Sequence, residues 1–389
     1  MIAEMPITRD ELVSRASALV PRLRERAERT EQHRRLPEET LADFVDAGLT
    51  RIATPIRHGG NGLEIDAMYE VAAELGRGCG SAAWCYSILS NATWLIGQWP
   101  EEGQEEYFSS SSEPFAASSL APDRSHVEVV PGGFRVSGHW GFASGCDVAS
   151  WAIVGGLTPT GPHFFLVPMS SVAIVDTWFV SGMRGTGSKD LTIDDAFVPS
   201  HRAVPIAKLT EGVSDGWALH GRPSYRVPLY SIMPMTLVSP IVGMAAGAVE
   251  LFAHEAGARK RPDGTTGAQS VVSQLRLAEA SAEADAAHTL MRQSYRDVLC
   301  RATRGETPTL QDRARARRDS SFVVNLAVRA VTRLFEGSSG NAVRDSHPLQ
   351  RFHRDVVAAS HHVGLRWDEH AEQYGRIAFG LEPLAGARI

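Results

Sequence analysis

The hydrophobic period of this chain changes twice. Apolar residues recur at helical spacing over about residues 8–115, alternate as strands do over about 116–210, and return to helical spacing from about 225 to the end. No internal repeat at a fixed period accompanies the change. The pattern predicts three units: a helical one over 1–115, a compact β unit over 116–224 and a helical bundle over 225–389.

In the first unit, Leu12, Ala16, Leu19, Val20 and Leu23 form an apolar stripe between charges. Leu36-Pro37-Glu38-Glu39-Thr40 opens a second helix with proline and acids in its first turn. A third runs from Ile65 to Leu75. Ser81 is placed to cap a fourth, apolar helix from Ala82 to Ile96. The middle unit carries short runs such as Trp151-Ala152-Ile153-Val154 and Phe164-Phe165-Leu166-Val167, punctuated by glycine and proline. In the last unit, segments 237–258, 269–303, 311–336 and 348–374 each carry an apolar stripe, which predicts four long helices in a bundle.

Composition excludes several functions. Net charge is −6, from 39 basic and 45 acidic residues, so nucleic acid is not the expected partner. At 43% hydrophobic residues the chain has ample material for a core. The four cysteines, Cys79, Cys85, Cys146 and Cys300, show neither CxxC pairing nor metal-ligand spacing, which predicts free thiols, no metal and a reducing, cytoplasmic compartment. The charged N-terminus lacks a signal-peptide core, and no stretch approaches the roughly 20 uninterrupted apolar residues of a membrane span.

No dinucleotide fingerprint, P-loop, nucleophile elbow or HExxH motif occurs. Trp140-Gly141-Phe142-Ala143-Ser144-Gly145-Cys146-Asp147 joins two aromatics to a small polar stretch. It suits a flat ring with heteroatoms, although composition alone favours a buried strand and turn. Met183-Arg184-Gly185-Thr186-Gly187-Ser188, preceded by Trp178, is a second such loop. Arg259-Lys260-Arg261 reads first as cations at a helix C-terminus, and as a phosphate site only where a cofactor is already indicated. Arg313, Arg315, Arg317 and Arg318 read as a solvated helix face. His361 and His362 lie in an apolar helical stretch, where adjacent residues point about 100° apart and cannot easily serve one site.

Together these segments resemble one family. Leu36-Pro37-Glu38, Ala47-Gly48-Leu49, Pro55 and Gly59-Gly60 resemble the opening of acyl-CoA dehydrogenase-fold proteins. Gly133 through Asp147, Asp176 through Ser188, Asp194 through Pro199, and Pro348 through His362 resemble the group D two-component flavin monooxygenases, the oxygenase components that act on phenols and aromatic polyketides. The resemblance implies a mainly α fold with a central β domain: an N-terminal helical domain, a β-barrel-like middle domain and a C-terminal four-helix bundle. Aligning Arg354-Asp355 puts Val363 where many acyl-CoA dehydrogenases carry a glutamate base, and valine removes no proton. His362 falls where the monooxygenases keep a histidine.

The resemblance further implies diffusible reduced FMN or FAD from a separate flavin reductase. Oxygen then forms a hydroperoxide at flavin C4a, and an aromatic or polycyclic molecule is hydroxylated. Ser144 and His362 are implied as catalytic. Trp84, Phe142, Ala143 and Gly145 are implied against the ring, Arg259 at the flavin phosphate, and Gly340 and Asn341 from a neighbouring subunit of a homotetramer. Tyr86 and Asn91 are candidate substrate contacts. The helix after Trp84 reads Ser90-Asn91-Ala92-Thr93-Trp94-Leu95 and lacks the histidine that helps some phenol hydroxylases of this group activate their substrate. An FAD-bound dehydrogenase or oxidase, and a non-catalytic homologue, are the rival expectations.

Overall fold

The computed structural model describes residues 7–258 and 264–389. Five helices open the chain: α1 (Arg9–His33), α2 (Glu38–Asp46), α3 (Ile65–Gly76), α4 (Gly80–Ile96) and α5 (Glu101–Ser109). The Thr8 side chain caps α1 by accepting from the Glu11 amide, and Asp10 and Glu11 sit in the first turn, where the helix dipole favours them. Its apolar stripe, Leu12, Ala16, Leu19, Leu23 and Ala27, is buried. Helix α4 begins two residues earlier than the spacing predicts. Its N-cap is Cys79, and Ser81 lies inside the first turn without capping it. Almost every residue of α4 is buried, so the helix runs through the interior with polar groups on board.

Eight strands follow: β1 (Ala116–Ser119), β2 (Arg124–Val130), β3 (Gly133–Ala143), β4 (Trp151–Thr158), β5 (Gly161–Pro168), β6 (Ala173–Val175), β7 (Lys189–Pro199) and β8 (Ala203–Pro205). They form two four-stranded sheets, ordered β1-β4-β5-β8 and β2-β3-β7-β6. The barrel-like middle domain is thus two sheets face to face over one core that includes Trp140, Val154, Phe165 and Leu191. Strand β3 loses register with β7 twice, between Val136 and Gly138 and between Trp140 and Ala143. Such bulges re-aim side chains, and the second sits beside Phe142 and Ser144.

The remaining helices are α6 (Ile206–Glu211), α7 (Asp215–His220), α8 (Leu229–Ile232), α9 (Met235–Ala258), α10 (Val271–Thr303), α11 (Leu310–Glu336), α12 (Pro348–Ser360) and α13 (Trp367–Ala378). Segment Leu229–Ala258 is long and apolar enough to cross a bilayer, but 83% of its most apolar window is buried inside the fold, as befits a core helix.

The stretch 348–374 is not one helix. Helix α12 ends at Ser360, and α13 starts at Trp367. His362 takes an extended backbone (φ −60°, ψ 132°), and its own Nδ1 accepts the Gly364 amide at 3.0 Å. That local bond offers the backbone an alternative to continuing the helix.

Helices α3 and α9 cross through paired glycines. A Cβ at Gly243 would stand 2.0 Å from the Ala73 carbonyl oxygen, and one at Gly76 would stand 2.9 Å from the Gly243 Cα. Gly243→Ala is expected to lower stability by about 2 kcal/mol in a urea titration, because a packed backbone must move. Gly375→Ala, with nothing within 4 Å of the added methyl, should not. Equal stability of both variants would refute the close-crossing account.

Candidate active site

Three elements meet at Ser144. Its Oγ accepts from Trp84 Nε1 of α4 at 3.1 Å and lies 2.7 Å from Ser188 Oγ. Ser188 Oγ lies 2.6 Å from Thr186 Oγ1, whose hydroxyl donates to the Met183 carbonyl at 2.9 Å. A hydroxyl has one hydrogen and two lone pairs. With the Thr186 hydrogen committed to a carbonyl, Ser188 must donate to Thr186, and Ser144 must donate to Ser188. The chain therefore runs one way, from Trp84 to Met183. It leaves Ser144 Oγ with one free lone pair, and so makes it an acceptor. All three hydroxyl residues are buried.

The loop carrying this chain is pinned from α12. The buried Asp355 carboxylate accepts the Met183 amide at 2.6 Å, and burial pushes its carboxyl up to about 6. Arg354 Nη1 donates to the Ser181 carbonyl at 2.6 Å, and Arg354 and Arg351 both pair with Glu31 of α1. Trp178 Nε1 donates to the Met183 carbonyl at 3.0 Å. The Arg354-Asp355 landmark thus fixes a loop. Met183 holds φ 57° there, a left-handed conformation that needs such over-determination.

Phe142 also has positive φ (64°), and this turns its ring outward to 70% exposure, edge-on to Trp178 at 6.0 Å. Gly145, at φ 73°, donates its amide to the Thr186 carbonyl at 3.0 Å and so ties the two loops together. The Ala143 methyl points into the β core, away from these groups.

His362 packs on Trp84 with ring centroids 5.9 Å apart. Its Nδ1 is occupied by the Gly364 amide, so the neutral ring keeps Nε2–H as a donor. The residue as a whole is exposed, yet desolvation by the surrounding protein, assisted by Arg317, pushes its imidazole down to about 4, and it is neutral at physiological pH. His361 instead bonds the Val357 carbonyl of its own helix at 2.8 Å. The helix break separates the two imidazoles. Val363, at the position of the dehydrogenase glutamate, is 48% exposed.

Other candidates fall elsewhere. The buried Tyr86 hydroxyl donates to the Leu49 carbonyl at 3.0 Å and its ring packs on Phe44, so it belongs to the N-terminal core. Asn91 lies two turns after Trp84 on the same face of α4. Its Oδ1 and the nearby Trp94 Nε1 are buried without protein partners. Gly340 and Asn341 sit exposed on the loop between α11 and α12 and make no contact with Ser144. Arg259 lies outside the described residues. No group of three metal-ligating side chains occurs among the described residues.

Arg317 corrects the reading of the arginine run. It is only 5% exposed. Its phase explains this: Ala314, Ser321 and Val324, at i−3, i+4 and i+7, are buried on the same face.

The acyl-CoA dehydrogenase N-terminal domain family matches residues 10–110, and the acyl-CoA dehydrogenase C-terminal domain family matches 235–367. The flavin-dependent monooxygenase oxygenase subunit HsaA of Rhodococcus jostii (strain RHA1) is 34% identical, covering 95% of this chain and 98% of its own. The chain belongs to the acyl-CoA dehydrogenase family, in its flavin monooxygenase branch. The oxygenase component of the FADH2-dependent resorcinol hydroxylase of a Rhizobium species (strain MTP-10005) is also 34% identical, over 96% of this chain and 95% of that one. The crystal structure of 3-HSA hydroxylase from Rhodococcus sp. RHA1 superposes with a TM-score of 0.92 at 33% identity, covering 96% of this chain and 98% of that one. The family assignment agrees with the site: a one-way acceptor at Ser144, an outward aromatic at Phe142 and a neutral histidine fit a planar, N–H-bearing ring such as a reduced flavin.

Proposed function

We propose that this chain is the oxygenase component of a two-component flavin monooxygenase that hydroxylates an aromatic or polycyclic small molecule. A separate reductase supplies reduced FMN or FAD. The observation that carries the reading is the one-way hydroxyl chain ending in a free acceptor at Ser144, with neutral His362 packed on Trp84, the indole that donates to Ser144.

Reduced flavin, when bound, supplies the electrons that activate O2. The work of this chain is to hold protons and exclude water. Ser144 Oγ would accept the ring N5–H and so keep that proton in place. His362 would donate Nε2–H to an oxygen of the reacting group without itself being a cation. Phe142 and Trp178 would cover the ring. Arg259 is proposed at the flavin phosphate, and the exposed Gly340 and Asn341 are proposed to complete the site of a neighbouring subunit in a homotetramer. The division at 115/116 and 224/225 and a cytoplasmic location are part of the same proposal.

The test is anaerobic titration with reduced FMN and reduced FAD, followed by aerobic assays against a panel of aromatic substrates. Hydroxylated product with little hydrogen peroxide is expected. Ser144→Ala should weaken binding of the reduced flavin about tenfold, as for loss of one hydrogen bond of about 1.4 kcal/mol, and should raise peroxide release. Reduction of protein-bound oxidised flavin by an acyl thioester would instead establish the dehydrogenase reading.

A further inference from the structure

Arg317 is a buried cation without a counter-ion. No carboxylate lies within ion-pair distance of it among the described residues, although its neighbours Arg315 and Arg318 both pair with Asp319. Its one side-chain partner is neutral: Nη2 donates to His370 Nε2 at 2.5 Å, and His370 Nδ1 lies 2.5 Å from Ser321 Oγ. Nε is buried with no acceptor at all. An unpaired buried charge is costly unless something compensates it. Burial and nearby Arg388 pull the guanidinium down to about 10, with Tyr230 and Glu369 opposing, so it remains charged at neutral pH.

Its place in the fold is informative. Helix α11 packs on α8, on α13 and on the break that carries His362. Arg317 is close enough to act electrostatically on His362. The break also touches Leu237 at the start of α9. There the Ser87 hydroxyl of α4 donates to the Thr236 carbonyl at 2.6 Å. The unpartnered polar groups on that face of α4, those of Asn91 and Trp94, are both uncharged. Helix α4 thus offers a substrate hydrogen bonds, while positive charge comes from α11.

We infer that Arg317 anchors an ionised ring oxygen of the substrate, so that the chain binds its aromatic substrate as a phenolate beside His362. The inference rests on the monooxygenase reading and names the substrate class. A phenolate ring is richer in electrons than the phenol and therefore a better acceptor of an electrophilic oxygen atom. The phenolic proton leaves to solvent on binding.

The experiment uses the full chain and 4-nitrophenol, whose neutral and ionised forms absorb at different wavelengths. The wild type is expected to bind it as 4-nitrophenolate, with the apparent ionisation pH of the bound probe about 1–3 below that of the free probe. Arg317→Met should abolish that displacement, and Arg317→Lys should retain part of it. Thermal melts identify a misfolded Met variant, in which case the Lys variant must show the reduced displacement. Absence of binding, binding as the neutral phenol, or an unchanged spectrum in a folded Arg317→Met variant would overturn the inference. Coupled hydroxylation of the aromatic panel by the wild type would leave the monooxygenase reading standing even then, so the two can fail separately.

Discussion

His362→Ala is expected to cut product formation by about 100-fold while oxygen consumption continues as hydrogen peroxide release. Positioned proton donors of this kind contribute about 10²–10⁴-fold. The donor here is fixed by geometry: Nδ1 is held by the Gly364 amide and the ring rests on Trp84. Because the imidazole is neutral down to about pH 4, its loss should be equally damaging at pH 6 and at pH 8. A role that required the imidazolium would fade as pH rises through the ordinary histidine range. The measurement is product and peroxide per reduced flavin across that window. Retained coupling in the alanine variant, or a deficit confined to low pH, would remove His362 from the chemistry.

The largest stability effect is expected at Glu70. This α3 carboxylate is 6% exposed. It accepts from Arg292 at 2.7 Å, lies 3.3 Å from His288 Nε2, and accepts from the Tyr295 hydroxyl, all on α10. Burial alone would raise its pKa, but the bonds from His288, Tyr295 and Arg292 outweigh burial and bring it from 4.5 to about 2. A displacement of that size corresponds to about 3 kcal/mol. The native state binds the Glu70 proton more weakly than the unfolded chain does. The stabilisation is therefore complete above pH 4.5 and lost as pH falls from 4.5 towards 2. Glu70→Gln should lower stability by about 3 kcal/mol in urea at pH 7, and the gap to wild type should narrow on acidification below 4.5. A gap under about 1 kcal/mol at pH 7 would show that the cluster is decorative.

The architecture was readable because period follows burial. The stripe of α1, the strand alternation and the stripes of the bundle helices each announce the face that meets the core. Trp84, Ser144 and His362 were each singled out in the sequence by the family resemblance. Their union was not, since the hydroxyl chain joins positions 44 and 60 residues apart in sequence. The break after Ser360 was hidden because Val363 and Leu365 continue an apolar pattern, and what stops the helix is one side chain capping its own turn. Arg317 was hidden by its company. Three exposed or half-buried arginines surround it, and phase with Ala314 and Ser321 was the available signal.

The direction of the hydroxyl chain bears on how the enzyme turns over. Oxidation of a flavin removes the hydrogen at N5 and leaves a lone pair there. With Ser144 at N5 as proposed, two lone pairs would then face each other, unless the whole chain from Ser144 to the Met183 carbonyl reversed, and that carbonyl cannot donate. If Ser144 meets N5 as proposed, the site would grip its cofactor when charged with electrons and slacken when emptied. A shuttle that must leave after every cycle to be recharged elsewhere needs that asymmetry, and here three hydroxyls and one peptide oxygen would provide it.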